Sequence, residues 1–143
     1  MFRAQNHYNL LWREDERELL PFCRARGIGL IPYSPMARGF LCGRARREEA
    51  TRTERAKTDD FTYKLYGRSA DEATVDLVAE LAADRGVSPV QFALSWVLHQ
   101  PAVTAPIIGA TQPHHIDAAI AALDVRLDAE ELCRLDEPYV PRR

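Results

Sequence analysis

Tyr33, Ser34 and Arg38 stand just beyond an apolar run, Ile28 to Ile31, that Pro32 terminates. Enzymes built on parallel strands place their chemistry at the strands' C-terminal ends, and this end presents an aromatic ring, a hydroxyl and a guanidinium. Two further ends of this kind are legible. One carries Gln5, Asn6 and Tyr8; the other, Gly109-Ala110-Thr111, follows Val103 to Ile108 and runs into a helix. Free backbone N–H groups at that helix's N-terminus suit a phosphate, although Thr111 serves equally well as an N-cap. Ordinary turn chemistry accounts for each end taken alone. The run from Arg44 to Lys57 carries five arginines and one lysine against three glutamates. Both a solvated loop and a clamp over a phosphate fit it.

Other reactive groups do not assemble. His114 and His115 are adjacent, without the three- or four-residue spacing that puts two metal ligands on one helical face, and they read as surface residues. The sequence contains no Ser-His-Asp or Cys-His set and no carboxylate pair in a setting that perturbs it. It offers a binding surface and no obvious catalyst. Cys23, Cys42 and Cys133 are widely spaced and odd in number, as expected of reduced thiols.

Composition narrows the class. The 143 residues suit one domain, and 46% hydrophobic with 28% charged residues is ordinary for a globular chain. A net charge of -2 provides no field to recruit nucleic acid or an anionic membrane. No apolar run reaches bilayer length, and MFRAQNHYNLL has no signal-peptide hydrophobic region, so a cytoplasmic location is expected. Glu72 to Leu98 has the outline of a helix-turn-helix, but VQFALSWVLH is too apolar to lie in a DNA groove.

The elements that must position these residues follow from periodicity and caps. Residues 2–10 read as a strand, and Arg13 to Arg26 as an amphipathic helix with Leu19, Leu20, Phe22 and Cys23 on one side and Gly27 as its stop. Ile28 to Ile31 is a strand, and Ala37 to Tyr66 a long irregular loop with room for a helical turn. Ser69-Ala-Asp-Glu72 is a capping box that opens a helix to about Arg85, ended by Gly86. Ser88-Pro89-Val-Gln91 combines a capping box with proline at the first helical position and opens a largely buried helix. Within it Phe92 and Trp96, one turn apart, belong to the core. Val103 to Ile108 reads as a buried strand, IDAAIAAL as a helix, and Asp128-Ala-Glu-Glu131 as the box opening a last helix. Strands alternating with helices imply parallel pairing through helical crossovers. Only about three strands are visible, so both sheet edges would be open.

QNHYNLL, ERELLPFCRARGIGLIPYSPMARGFLCGR, GVSPVQFALSWVL and TAPIIGATQPHHIDAAIAALDVRL together resemble the aldo-keto reductases. The likeness is closest to the bacterial branch that ends in a Glu-Pro-Tyr-x-Pro tail, matched by Glu137 to Pro141. It implies an α/β fold, part of a (β/α)8 TIM barrel, with roughly strands six to eight, their helices and the C-terminal tail. It also implies NADP(H) as cofactor and a small carbonyl compound as substrate in the complete enzyme. By the same resemblance Tyr33 stacks on the nicotinamide, and the loop Ser34-Pro35-Met36-Ala37-Arg38-Gly39 wraps the pyrophosphate. Gln5 bonds the carboxamide, and Gly109 and Thr111 hold the adenosine phosphate with His115 facing it. Residues 37–66 form the cofactor-side loop, in which Arg44 is the best-placed arginine and Arg52 or Arg55 could be a second.

Two departures bear on affinity. Ala118-Ala119 stands where many family members carry the Glu-Asn pair that binds adenine, and His115 replaces an Arg or Gln. Both changes should weaken adenosine recognition or shift the NADPH-over-NADH preference. The family's catalytic Asp, Tyr, Lys and His come from the first half of the barrel, and no residue here matches them. Tyr8 and Tyr33 do not fill the role, since a proton donor needs a lysine neighbour and Lys57 and Lys64 fall in the long loop. The expectation is therefore a C-terminal piece of an NADP(H)-dependent reductase that is inactive alone and self-associates through its open edges. The alternative is a non-catalytic, truncated nucleotide-binding or interaction module.

Overall fold

A computed structural model describes residues 2–43 and 60–142. Its centre is parallel pairing. β1 (Arg3–Ala4) pairs with β2 (Gly29–Leu30), and single bridges continue the ladder at His7 with Tyr33. On the other side of β2, residues 103–107 join through the bridges Leu30 to Val103 and Tyr33 to Ile107. The ladder alternates as parallel pairing requires. Ile31 and Tyr33 donate their N–H groups to the carbonyls of Ala4 and Asn6, each at 2.9 Å, while Leu30 donates to Ala102 at 3.0 Å. Pro32 lacks a donor but accepts from Ile107 N at 2.7 Å.

Between the two outer bridges β2 advances three residues and its partner four, which is a one-residue bulge. Just before it, Gly29 permits a close approach of the neighbouring segment, since a Cβ on it would lie 2.5 Å from Thr104 Oγ1. The 103–107 segment is an outer strand and not the buried one its sequence suggests: Ile107 and Ile108 are 42% and 39% exposed. Apolar composition alone does not tell a covered strand from an edge.

Helices cover the sheet. α1 (Leu19–Arg26) stops at Gly27, whose φ of 62° is the left-handed cap that glycine adopts freely. The expected helix from Arg13 is broken into a 3-10 turn, Glu14–Glu16, and the shorter α1. Pro21 explains the break, because a longer helix would need its missing N–H, whereas in the first turn of α1 that absence is harmless. Phe22 turns outward at 53% exposure, so it does not join Leu20 and Cys23 in the core.

The expected long loop carries structure at both ends. Ala37–Cys42 is a 3-10 segment and α2 (Asp60–Tyr66) closes it. α3 (Ser69–Asp84) begins one residue earlier than its box predicts, because the Asp71 carboxylate accepts from Arg68 N at 3.1 Å, making Arg68 the cap. The Ser88 box holds as read, with Gln91 N donating to Ser88 Oγ at 3.3 Å and Ser88 N to Gln91 Oε1 at 2.7 Å. α4 (Pro89–His99) buries Phe92, Ala93, Leu94, Ser95, Trp96 and Val97. Burying Phe92 and Trp96 stabilises the fold by roughly 1.5–3 kcal/mol for each ring.

α5 (Pro113–Ala121) is capped at Gln112, not Thr111, and buries none of its side chains. α6 (Ala129–Asp136) starts on the expected Asp128–Glu131 box, with Glu131 N donating to Asp128 Oδ1 at 2.9 Å. The tail then returns to the 3-10 turn. Arg13 lies between the Trp96 and Tyr139 rings, at 5.0 and 4.8 Å, and pairs with Glu16 and Asp136 at 2.8 and 2.7 Å.

Candidate functional site

Parallel pairing brings all three C-terminal strand ends to one edge of the sheet, which is where such sheets place ligands. Alternation then decides which side chains reach it. Tyr8, expected there with Gln5 and Asn6, points into the core instead. It is fully buried, stacks on Trp96 with ring centroids 5.4 Å apart, and donates to Glu16 Oε1 at 2.7 Å. Burial, with the neighbouring Glu16 carboxylate, pushes its phenol far above the ordinary value. Tyr8 is structural.

The adjacent His7 occupies the strand end. Its imidazole lies between Trp12 and Tyr33, with centroids 4.7 and 5.2 Å away and planes inclined by 24° and 9°. Tyr66, the last residue of α2, meets the same ring edge-on at 5.8 Å, and the Tyr66 hydroxyl is hydrogen-bonded to His7 Nε2. Tyr33 itself is 42% exposed at the end of β2. Burial pushes the Tyr66 phenol up to about 12, so at neutral pH it keeps its proton.

Asn9, fully buried, ties this group to the loop after Tyr33. Its Oδ1 accepts from Leu11 N at 2.9 Å and Trp12 N at 3.0 Å, while its Nδ2 donates to Ser34 O at 2.8 Å and Tyr66 Oη at 3.2 Å. The loop needs that support. Ser34, Ala37 and Arg38 adopt φ values of 56°, 48° and 56°, in the left-handed region where a non-glycine residue costs about 1–2 kcal/mol. Pro35 and Ala37 are buried, Met36 is half-buried, and Ala37 N donates to Ser34 O at 2.9 Å. The exposed Arg38 donates from Nε to Thr62 Oγ1 at 2.9 Å, joining the loop to α2.

At the third end Gly109 and Thr111 are exposed, and nothing lies within 4 Å of a Cβ built on Gly109. Thr111 N donates to His115 Nδ1 at 3.2 Å, so one backbone donor expected to be free for a phosphate is already engaged. Gln5 is exposed beside Asn6, whose amide bonds Asp15. Arg44, Arg52, Arg55 and Lys57 lie outside the described residues. Lys64 sits exposed on α2. Tyr33 and its loop, singled out from the sequence, are met in the structure by His7, Asn9 and Tyr66, which the sequence did not single out. A period-2 count along residues 2–10 would have put Gln5, His7 and Asn9 on one side and Tyr8 on the other.

The tail completes the support. Arg142 donates to Leu11 O at 3.0 and 2.9 Å, to Leu65 O, and to Asp71 Oδ1 at 2.8 Å, with its guanidinium over the Trp12 and Tyr66 rings at 5.0 and 5.6 Å. Among the described residues no group of His, Cys, Asp and Glu is arranged to hold a metal ion, and no helix is long and apolar enough to cross a membrane.

Comparison with known proteins gives this arrangement its context. The model of the aldo/keto reductase family matches residues 3–139. The chain is 41% identical over 141 residues to versiconal hemiacetal acetate reductase of Aspergillus parasiticus, covering 96% of this chain and 40% of that protein. It is 41% identical over 143 residues to a putative aryl-alcohol dehydrogenase of Saccharomyces cerevisiae, with 98% and 40% covered. An aldo-keto reductase of Metarhizium robertsii matches at 38% over 139 residues, with 97% and 37% covered. The chain therefore spans about two fifths of the length of these relatives. A match over nearly all of its residues, with parallel strands delivering their ends to one edge, makes this chain a member of the aldo/keto reductase family.

Proposed function

We propose that this chain is the cofactor-binding, C-terminal part of an NADP(H)-dependent aldo-keto reductase barrel, with strands six to eight in β1, β2 and the 103–107 segment. The observation that carries the reading is Tyr33: a half-exposed ring at the end of the middle strand, backed by another ring and followed by a strained loop. The chemistry that the cofactor supplies when bound is hydride transfer between its nicotinamide and the carbonyl carbon of an aldehyde or ketone.

The residues present fit the nicotinamide end of such a group. Tyr33 offers a face for stacking, Gln5 is exposed on the neighbouring strand two residues before the His7–Tyr33 bridge, and the buried Asn6 Oδ1 is an acceptor with no partner among the described residues. The left-handed turns at Ser34, Ala37 and Arg38 support a backbone cradle for the pyrophosphate, and Arg38 adds a charge. Arg44 is assigned to the same clamp. The adenosine end fits less well, since Thr111 N must exchange its bond to His115 for one to a phosphate. Loss of two polar contacts at Ala118-Ala119 costs on the order of 1–3 kcal/mol, or roughly tenfold to a hundredfold in affinity.

Hydride transfer is assigned to the complete family protein, and no residue of this chain is given a catalytic role. A second reading, an interaction module, is supported by the exposed apolar side chains of α5, of the 3-10 turn Ala122–Asp124 after it and of the outer strand. Ile107, Ile116, Ile120 and Leu123 are there 42%, 50%, 59% and 55% exposed. The test is NADPH binding, followed by nicotinamide fluorescence, in a barrel completed with a family N-terminal half. Tyr33→Ala and Arg38→Ala should weaken binding, and Ala118→Glu with Ala119→Asn should tighten it. Affinity indifferent to all three would refute the assignment.

A further inference from the structure

We propose that His7 is a positioning residue: its imidazole, packed between Trp12 and Tyr33 and held at its edge by Tyr66 and Asn9, fixes the tilt of the Tyr33 ring and of any flat ligand stacked on it. The ligand's identity rests on the cofactor reading above; the arrangement of the rings does not.

Donor and acceptor counting favours one state of His7. The Asn9 amide cannot be turned over, because its Oδ1 already accepts from two backbone N–H groups, of Leu11 and Trp12. Its Nδ2 hydrogens therefore face Ser34 O, Tyr66 Oη and His7 Nε2, at 2.8, 3.2 and 3.3 Å. The Tyr66 oxygen accepts from Asn9, and we assign its own hydrogen to His7 Nε2, which completes a chain from the amide to the imidazole. In that arrangement the nitrogen holds a lone pair, and His7 is neutral with its proton on Nδ1.

A second proton would set an N–H against the Asn9 amide donors. The charged and titratable groups facing the ring are Arg142 from the tail, Asp15 from the 3-10 turn, Tyr66 from α2 and Tyr33 from β2. Burial first, and then Arg142, hold the imidazole below its ordinary value of 6.5, against the opposite pull of Asp15. The neutral ring lies nearly flat, 9° off the Tyr33 plane. Trp12 stacks on the same imidazole and the Arg142 guanidinium lies over Trp12, while Tyr33 is the exposed ring of this group among the described residues. Asn9 also holds the Ser34 carbonyl, so one buried amide sets both the ring stack and the turn that follows Tyr33.

The test uses the full chain, with NMR of the His7 imidazole and the Tyr33 ring protons, and the completed barrel for NADPH binding. The expected results are an Nδ1–H tautomer at neutral pH, lost in Tyr66→Phe, and Tyr33 ring protons displaced by the neighbouring rings. His7→Ala should collapse that displacement and weaken NADPH binding roughly two- to tenfold, the worth of one aromatic pair. His7→Phe, which keeps a flat ring, should restore both. Tyr33 shifts unchanged in His7→Ala, or no recovery in His7→Phe, would overturn the proposal. If NADPH fails to bind the completed barrel while the Tyr33 shifts still respond, the cofactor reading falls and the positioning role stands.

Discussion

Arg142 is the residue whose removal should cost the fold most for its distance from the sheet. Its guanidinium side chain is 11% exposed and donates to three separate elements: the Leu11 turn, the Leu65 carbonyl of α2 and the Asp71 carboxylate of α3. Asp71 is only 3% exposed, and Arg68 at 3.2 Å is its other cationic partner. Arg142→Ala therefore strips several charge-assisted bonds and leaves two backbone carbonyls short of a donor. Breaking a buried pair of this kind costs about 3–5 kcal/mol. Because Arg68 still faces Asp71, the lower end, about 3 kcal/mol, is expected. With a urea m-value of about 1–3 kcal/mol/M, the midpoint should fall by roughly 1–3 M. Trp12 under the guanidinium and Trp96 in the core report the transition by fluorescence, at the lowest usable concentration. Arg142→Met keeps most of the packed stem and should recover only a minor part of the loss. In Asp71→Asn the same Arg142→Ala change should cost less, the difference being the coupling between the two groups. A midpoint moved by less than about a tenth of that expected, or a loss wholly recovered by Met, would show that the tail merely rests on the surface.

Three further outcomes can be checked. Because the folded His7 is held below its unfolded value of 6.5, the unfolded chain binds more protons as pH falls beneath that value. Stability should thus be full above pH 6.5 and decline below it, and His7→Phe should flatten that part of a urea-midpoint profile. Gly29→Ala places a methyl 2.5 Å from Thr104 Oγ1, so it should destabilise by about 1–3 kcal/mol; Thr104→Ala in the same chain should relieve most of the cost. The isolated chain should self-associate through Ile107, Ile116, Ile120 and Leu123. Sedimentation should show Ile116→Lys with Ile120→Lys shifting it toward monomer, whereas a monomeric unmodified chain at micromolar concentration contradicts the open-edge argument.

What the sequence determined by itself is what neighbours along the chain decide. Ser88-Pro89 and Asp128 start their helices because a cap bonds an amide three residues away, and Gly27 stops α1 because only a residue without Cβ turns left-handed at no cost. Pro21 was equally local, and the break it makes in the helix from Arg13 could have been read from it. The order of motifs was enough to identify the aldo/keto reductase family. Tertiary structure alone decided which groups meet. Tyr8 and His7 are adjacent, yet one is core and the other stacks on Tyr33, because strand register sends neighbouring side chains to opposite faces. Tyr66 and Arg142 reach His7 and Leu11 from 59 and 131 residues away. Such contacts depend on how elements pack across space, which spacing along the chain does not encode.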